Sequence, residues 1–142
     1  MEQYLPFLNA FIFLVLASVH FYWAFGGRWA FDVAIPTDVN GRHLFRPNAV
    51  NTLMVAIGLL GFAAVNLVYA GWIYPEELAK EYIRFLMASI AFIFALRAMG
   101  DFRYIGFTKR RSHYRTSFGK RDTKLYSPLC LLLAFSHLFV LL

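Results

Sequence analysis

The chain has 142 residues, of which 60% are hydrophobic, 19% aromatic and only 15% charged. A water-soluble domain carries about 25% charged residues, and here the charges cluster between long apolar runs, which excludes an ordinary soluble globule and describes a chain dissolved in lipid. The formal net charge of +6 lies beside those runs, so anionic lipid headgroups, not nucleic acid, are its expected partners.

A transmembrane helix needs about 20 mostly apolar residues. Residues 6–25, 49–72, 83–100 and 125–142 meet or approach that length. They predict an all-α, polytopic membrane protein. Its four transmembrane helices form one up-down antiparallel bundle over residues 1–142.

The first run lacks the basic start and small-residue cleavage site of a signal peptide, and it is long enough to span, so it is expected to be retained. Pro6 suits a first helical turn, where no amide donor is needed, and Gly26-Gly27 ends the helix. Aromatic residues crowd the ends of the runs: Tyr22, Trp23 and Trp29 after the first, Tyr69, Trp72 and Tyr74 after the second, Phe102, Tyr104 and Phe107 after the third. This is the pattern of an interfacial belt. The loop 26–48 combines Pro36, Asp38, Asn40, Gly41 and Pro47 with Trp, Phe and Ile, and reads as a packed interfacial segment.

The loop 101–124 holds Arg103, Lys109, Arg110, Arg111, Arg115, Lys120, Arg121 and Lys124, and the loop 26–48 adds Arg28, Arg42 and Arg46. The opposite side sets Lys80 and Arg84 against Glu2, Glu76, Glu77 and Glu81. The positive-inside rule places both long loops in the cytoplasm and both termini on the non-cytoplasmic side of the membrane.

Lipid provides no hydrophobic drive for helices to associate, so helix interfaces favour small residues. The expected inward stripes are Ala10, Ala17, Ala24 and His20 on the first helix and Asn51, Met54, Gly58 and Gly61 on the second. On the third they are Ala88, Ala91, Ala95 and Ala98, and on the fourth Ser127, Cys130, Ala134 and His137.

Ionisable groups gather at the cytoplasmic end. Arg97 and Asp101 are four apart and can face each other on one helix. Asp122 or Thr123 is positioned to cap the fourth helix. The candidate ligand-binding set is His20, Trp23, Asn51, Arg97, Asp101, Tyr104, Asp122 and Tyr126. The simpler alternative is structural: Arg97 pairs with Asp101 and Asp122 to fix the loop, and His20 hydrogen-bonds within the bundle. At the other end Asn9, Asn66 and His137 read as interhelical hydrogen bonding.

His20 and His137 differ in height by roughly 10 Å, a poor match for two axial haem ligands. His43 and His113 are loop residues, Cys130 is the only cysteine, and no metal-ligand spacing appears. No cofactor and no metal are expected. Lys109-Arg110-Arg111 and the later cations could hold anionic lipid or serve only as a topology signal. No nucleotide fingerprint or nucleophile motif is present.

Three segments carry a family resemblance: His20-Phe21-Tyr22-Trp23-Ala24-Phe25-Gly26-Gly27, Arg97 through Phe107, and Asp122 through Cys130. Together they resemble a family of small bacterial membrane proteins known as domain of unknown function 3995. The resemblance implies a four-span protein of bacterial inner membranes and implies no activity.

The leading expectation is a membrane module that binds a lipid-like or quinone-like ligand, or a membrane partner, at the charged and aromatic end. One alternative is an enzyme acting on a lipid-soluble substrate with His20 as acid or base, tuned by Asp101 or Asp122. Another is an accessory subunit of a larger membrane complex, or a homo-oligomer.

Overall fold

The computed structural model describes residues 4–74 and 79–142. In chain order it contains α1 (Tyr4–Ala24), the one-turn α2 (Phe31–Ala34), α3 (Ala49–Tyr69) and α4 (Lys80–Met99). A 3-10 turn (Arg111–Arg115), α5 (Ser117–Arg121), a π turn (Asp122–Tyr126) and α6 (Ser127–Leu141) follow. The last three join into one rod, Ser117–Leu141, so among the described residues four rods are long and apolar enough to cross a membrane. Glu2, Glu76 and Glu77 lie outside the described residues.

The rods run up and down. Phe7 at the start of α1 meets Trp72 just beyond α3, with ring centroids 6.1 Å apart. Arg84 at the start of α4 donates to Leu141 O at the end of α6 (3.0 Å), and Tyr69 donates to Val140 O (2.9 Å). α1 packs most closely on α3 and α4 on α6, and the two pairs meet along α3–α4 and α1–α6.

The core forms around Phe13, whose ring packs against Phe62 (5.6 Å), Phe94 (5.4 Å) and His137 (5.7 Å). Around it lie small side chains, Ala10, Ala17, Ala63, Ala98 and Ala134, all buried. Phe11, Ile57, Phe92 and Phe139 point outward, as lipid-facing residues must. Phe11 and Phe92 are each exposed by more than 60%, which in water would be a liability and in hydrocarbon is the favourable arrangement.

The inward stripes agree with expectation on α6, where Ser127, Cys130, Ala134 and His137 are all buried, and in part on α1 and α4. On α3 the expectation fails. Asn51, Met54, Gly58 and Gly61 face outward, and Thr52, Ala56, Leu59, Ala63 and Asn66 form the buried face. The glycine stripe is attractive by spacing, but the neighbouring face offers small residues together with two polar groups. Burying Thr52 and Asn66 removes them from lipid, where an unpaired polar group is costly. On α4 the exposed residue is Ala88, and Ile83, Met87, Ile90 and Phe94 do most of the filling.

Asn66 and His137 meet deep in the bundle. His137 Nδ1 lies 2.7 Å from Leu133 O, so it carries the proton, and Nε2 accepts from Asn66 Nδ2 at 3.1 Å. Ser136 donates to Asn9 Oδ1 (2.8 Å). This is the interhelical polar cluster expected at that end.

The fourth rod starts eight residues upstream of the expected 125, at Ser117. Its cap is neither Asp122 nor Thr123: Thr116 Oγ1 accepts from Gly119 N (2.9 Å). Pro128 explains how the helix continues. Proline has no N–H to donate, and its ring crowds the carbonyl four residues back. The chain opens a wider turn just before it, where Ser127 N reaches Asp122 O, and such π turns recur at functional sites.

Because the glycine face of α3 is outward, Gly58→Leu should leave the thermal midpoint in detergent unchanged; no atom lies within 4 Å of a Cβ placed there. Ala56→Leu, on the fully buried face, should lower stability by about 1–3 kcal/mol through overpacking. Equal effects of the two substitutions would contradict this helix orientation.

Candidate functional site

The site begins where α4 ends. Gly100 adopts φ +91° and Gly106 φ +81°, and the two backbones cross so closely that a Cβ on either would overlap the other strand of the loop. The crossing brings Phe107 N to Ala98 O (2.9 Å) and Thr108 N to Met99 O (3.2 Å), so distant amides satisfy the carbonyls at the α4 C-terminus.

Between the glycines, Asp101 Oδ1 accepts from the backbone N–H groups of Arg103 (3.0 Å), Tyr104 (2.7 Å) and Ile105 (2.9 Å). Partial burial pushes the Asp101 carboxyl upward, but the Ile105, Tyr104 and Arg103 donors outweigh it and hold the group below its ordinary value. The folded loop therefore favours the charged form. That contribution is complete above the ordinary carboxylate range and is lost as pH falls through the lowered value.

Asp101 does not face Arg97. The partner of Arg97 is Asp122, fully buried on the fourth rod, through Arg97 Nη2 to Oδ1 at 3.0 Å. The other oxygen, Oδ2, accepts from Gly106 N (2.8 Å) and from Lys109 Nζ (2.9 Å). The Lys109 side chain is also fully buried. Its ammonium donates to Gly106 O (2.7 Å) and lies 4.6 Å from the Tyr114 ring centroid. One carboxylate thus ties α4, the glycine crossing and a buried lysine to the fourth rod. Two cations converge on one anion, so the cluster carries a surplus positive charge.

Arg97 Nη1 is buried with no hydrogen-bond partner, and Arg97 lines a cavity of about 560 Å³ at this end of the bundle. His20, Trp23, Arg46 and Asn51 supply its other polar walls. Phe31, Ile35, Val55, Ile105 and Phe118 supply apolar ones. The elements around it are well fixed. Gly26, at φ +95°, ends α1 in a Schellman motif, with Gly26 N to Trp23 O (3.1 Å) and Gly27 N to Tyr22 O (2.9 Å). Asn48 caps α3 through Asn51 N (2.8 Å).

His20 Nδ1 lies 2.7 Å from Leu16 O and donates to it, which leaves Nε2 as the nitrogen available to a ligand. Its ring packs on Trp23 (5.0 Å), and Trp23 donates to Trp29 O (2.8 Å) and packs on Phe31 (5.7 Å).

Of the eight residues singled out from the sequence, His20, Trp23, Asn51 and Arg97 line the cavity together. Asp122 stands behind Arg97 and orients it. Tyr126 lies at the edge, its hydroxyl 3.5 Å from Val33 O, where it ties α2 to the fourth rod. Asp101 and Tyr104 do not join the cavity. Asp101 shapes the loop, and the Tyr104 ring packs against His113 (4.7 Å) beneath Arg103 (4.9 Å). His113, a loop residue, is buried there. Lys109 and Arg46 were readable only as members of basic loops. Nothing in the pattern separates Lys109 from Arg110 and Arg111 except its spacing of three from Gly106, a weak signal.

Lys109→Met should destabilise the protein by about 3–5 kcal/mol, because it strips a buried carboxylate of a buried partner. Arg110→Met and Arg111→Met, at exposed positions, should have little effect. Unfolding in detergent measures both, and equal losses would mean that the basic run acts as a single charge block.

The family described as "Protein of unknown function (DUF3995)" matches residues 13–137. That stretch contains α2, α3 and α4 whole, most of α1 and α6, and every residue of the cavity and of the Asp122 cluster. No curated protein and no solved structure matches the chain. With its four membrane-length rods and a match over most of its length, the chain belongs to the DUF3995 family.

Proposed function

We propose that this protein is a small integral-membrane binding module that holds a lipid-like amphiphile in the cavity beneath Arg97, on the cytoplasmic side of a bacterial inner membrane. The carrying observation is the divided guanidinium of a cavity-lining residue: Nη2 is fixed by Asp122 at 3.0 Å, and Nη1 is buried with no hydrogen-bond partner. A buried, pre-oriented donor with nothing to donate to is costly unless a ligand completes it. The cavity size of about 560 Å³ falls within the range of small-molecule sites, and apolar walls with a few convergent polar groups are their usual composition. It lies at the level of the aromatic and basic belt, where an amphiphile presents its headgroup.

Binding is favoured over acid–base catalysis by the fate of the carboxylates. Asp122 is saturated by Arg97, Gly106 and Lys109, and Asp101 by backbone amides. Neither is bonded to His20, whose recorded partner is Leu16 O. The basic loops support the orientation, with their side in the cytoplasm and both termini opposite.

Arg97→Lys separates the two roles of this residue. Lysine keeps a positive charge beside Asp122 and lacks the second guanidinium arm. The variant should fold, and native mass spectrometry of protein extracted with its lipids should show ligand adducts reduced roughly tenfold, the effect of losing about 1.4 kcal/mol from a charge-assisted contact. Undiminished adducts in Arg97→Lys, or a wild-type protein that never retains an amphiphile, would overturn the proposal.

A further inference from the structure

A second cavity, of about 360 Å³, opens beside the first under the Gly26-Gly27 turn. Arg28, Arg46, His43 and Asp32 line it, and it shares Arg46, Trp23, Phe31 and Ile35 with the larger one. We infer that this cavity is an anion site for a phosphate-bearing headgroup, whose attached chain passes Trp23 and Phe31 into the larger cavity. The chain's destination rests on the proposed binding of an amphiphile, whereas the anion site stands on its own residues.

The charge balance supports the class of ligand. Two arginines and one aspartate line the cavity, and planar guanidinium forks are suited to phosphate oxygens. His43 adds a further nitrogen-bearing side chain to the lining. The only anion in place is weakly held. Asp32 Oδ1 lies 3.7 Å from His43 Nε2, beyond hydrogen-bond distance, and its side chain is 81% exposed. A phosphate can therefore displace it at little cost. Trp23 and Phe31 stack edge to face at 5.7 Å, forming an apolar threshold between the two cavities. Arg46 is common to both, so headgroup and chain are read by adjoining walls.

The test uses the full-length protein in nanodiscs of phosphatidylcholine doped with phosphatidic acid, phosphatidylglycerol or further phosphatidylcholine. Native mass spectrometry reads retained lipid, and inorganic phosphate is added in a separate arm. Phosphatidic acid, with the most open phosphate oxygens, should be retained most and phosphatidylcholine least. Arg28→Gln, at an exposed position, should cut phosphatidic acid retention roughly tenfold, as expected for one charge-assisted contact. Asp32→Asn should increase retention by removing the competing carboxylate.

Equal retention of all headgroups, with no effect of Arg28→Gln, would overturn the anion site and leave the amphiphile reading standing. Phosphate binding that Arg28→Gln abolishes, with no lipid retained, would uphold the anion site for soluble phosphate and overturn the amphiphile reading. A loss of retention in Asp32→Asn would show the carboxylate to be part of the site and would overturn the proposed displacement.

Discussion

The buried carboxylate of Asp122 organises the basic end of this molecule. It is fully enclosed, it bonds Arg97, Lys109 and the Gly106 amide at once, and these partners come from two stretches of chain, the end of α4 and the loop that follows it. An isolated buried charge is prohibitively costly, and a charge with partners missing is nearly so. The carboxylate therefore demands that α4, the glycine crossing and Lys109 arrive together. The basic loop, with its many repelling cations, would otherwise extend into water. Here it is drawn back over the end of the bundle as a folded cap, and its backbone closes the α4 C-terminus. The surplus of one positive charge in the cluster is what turns a structural clasp into a candidate recognition element, because Arg97, with one nitrogen left unpaired, also lines the cavity.

The rest of the bundle obeys a simpler constraint. In lipid the helices gain nothing by burying apolar surface, so their association depends on close approach and on hiding polar groups. Alanines around Phe13 provide the first. The Asn66–His137 contact and Thr52 illustrate the second. These features are spread along the rods, whereas the cavity and the Asp122 ion cluster lie at one end.

Much of this was legible in the sequence because the bilayer imposes a length and a polarity that any chain must display. The four rods, their antiparallel order and the polar contacts of Asn9, Asn66 and His137 follow from run length and residue type. The inward face of α3 was not legible, because Gly58 and Gly61 on one side and Ala56 and Ala63 on the other are both small stripes, and only packing against α1 decides between them. The start of the fourth rod was hidden by Lys120, Arg121, Asp122 and Lys124, which interrupt the apolar pattern before residue 125 although the helix runs through them. The site was half legible. His20, Trp23, Asn51 and Arg97 converge because each sits at the same end of its rod, a matter of counting residues. Asp101 was assigned to Arg97 by helical spacing, but α4 stops at Met99, so the four-residue rule does not reach it. Lys109 was invisible as a buried residue because its role depends on the crossing of Gly100 and Gly106, a contact that no local pattern encodes.

The claim on which the account depends is that one carboxylate folds the basic loop onto the bundle. Hydrogen exchange of Asp122→Asn, compared with the unaltered protein in the same lipid, tests it most directly. The amides of Gly106, Phe107 and Thr108 should lose protection together, while those in the middle of α1 and α3 keep theirs. Unchanged protection across the loop would contradict the account and would mean that the cap is held by its glycines and its own hydrogen bonds, without the ion cluster.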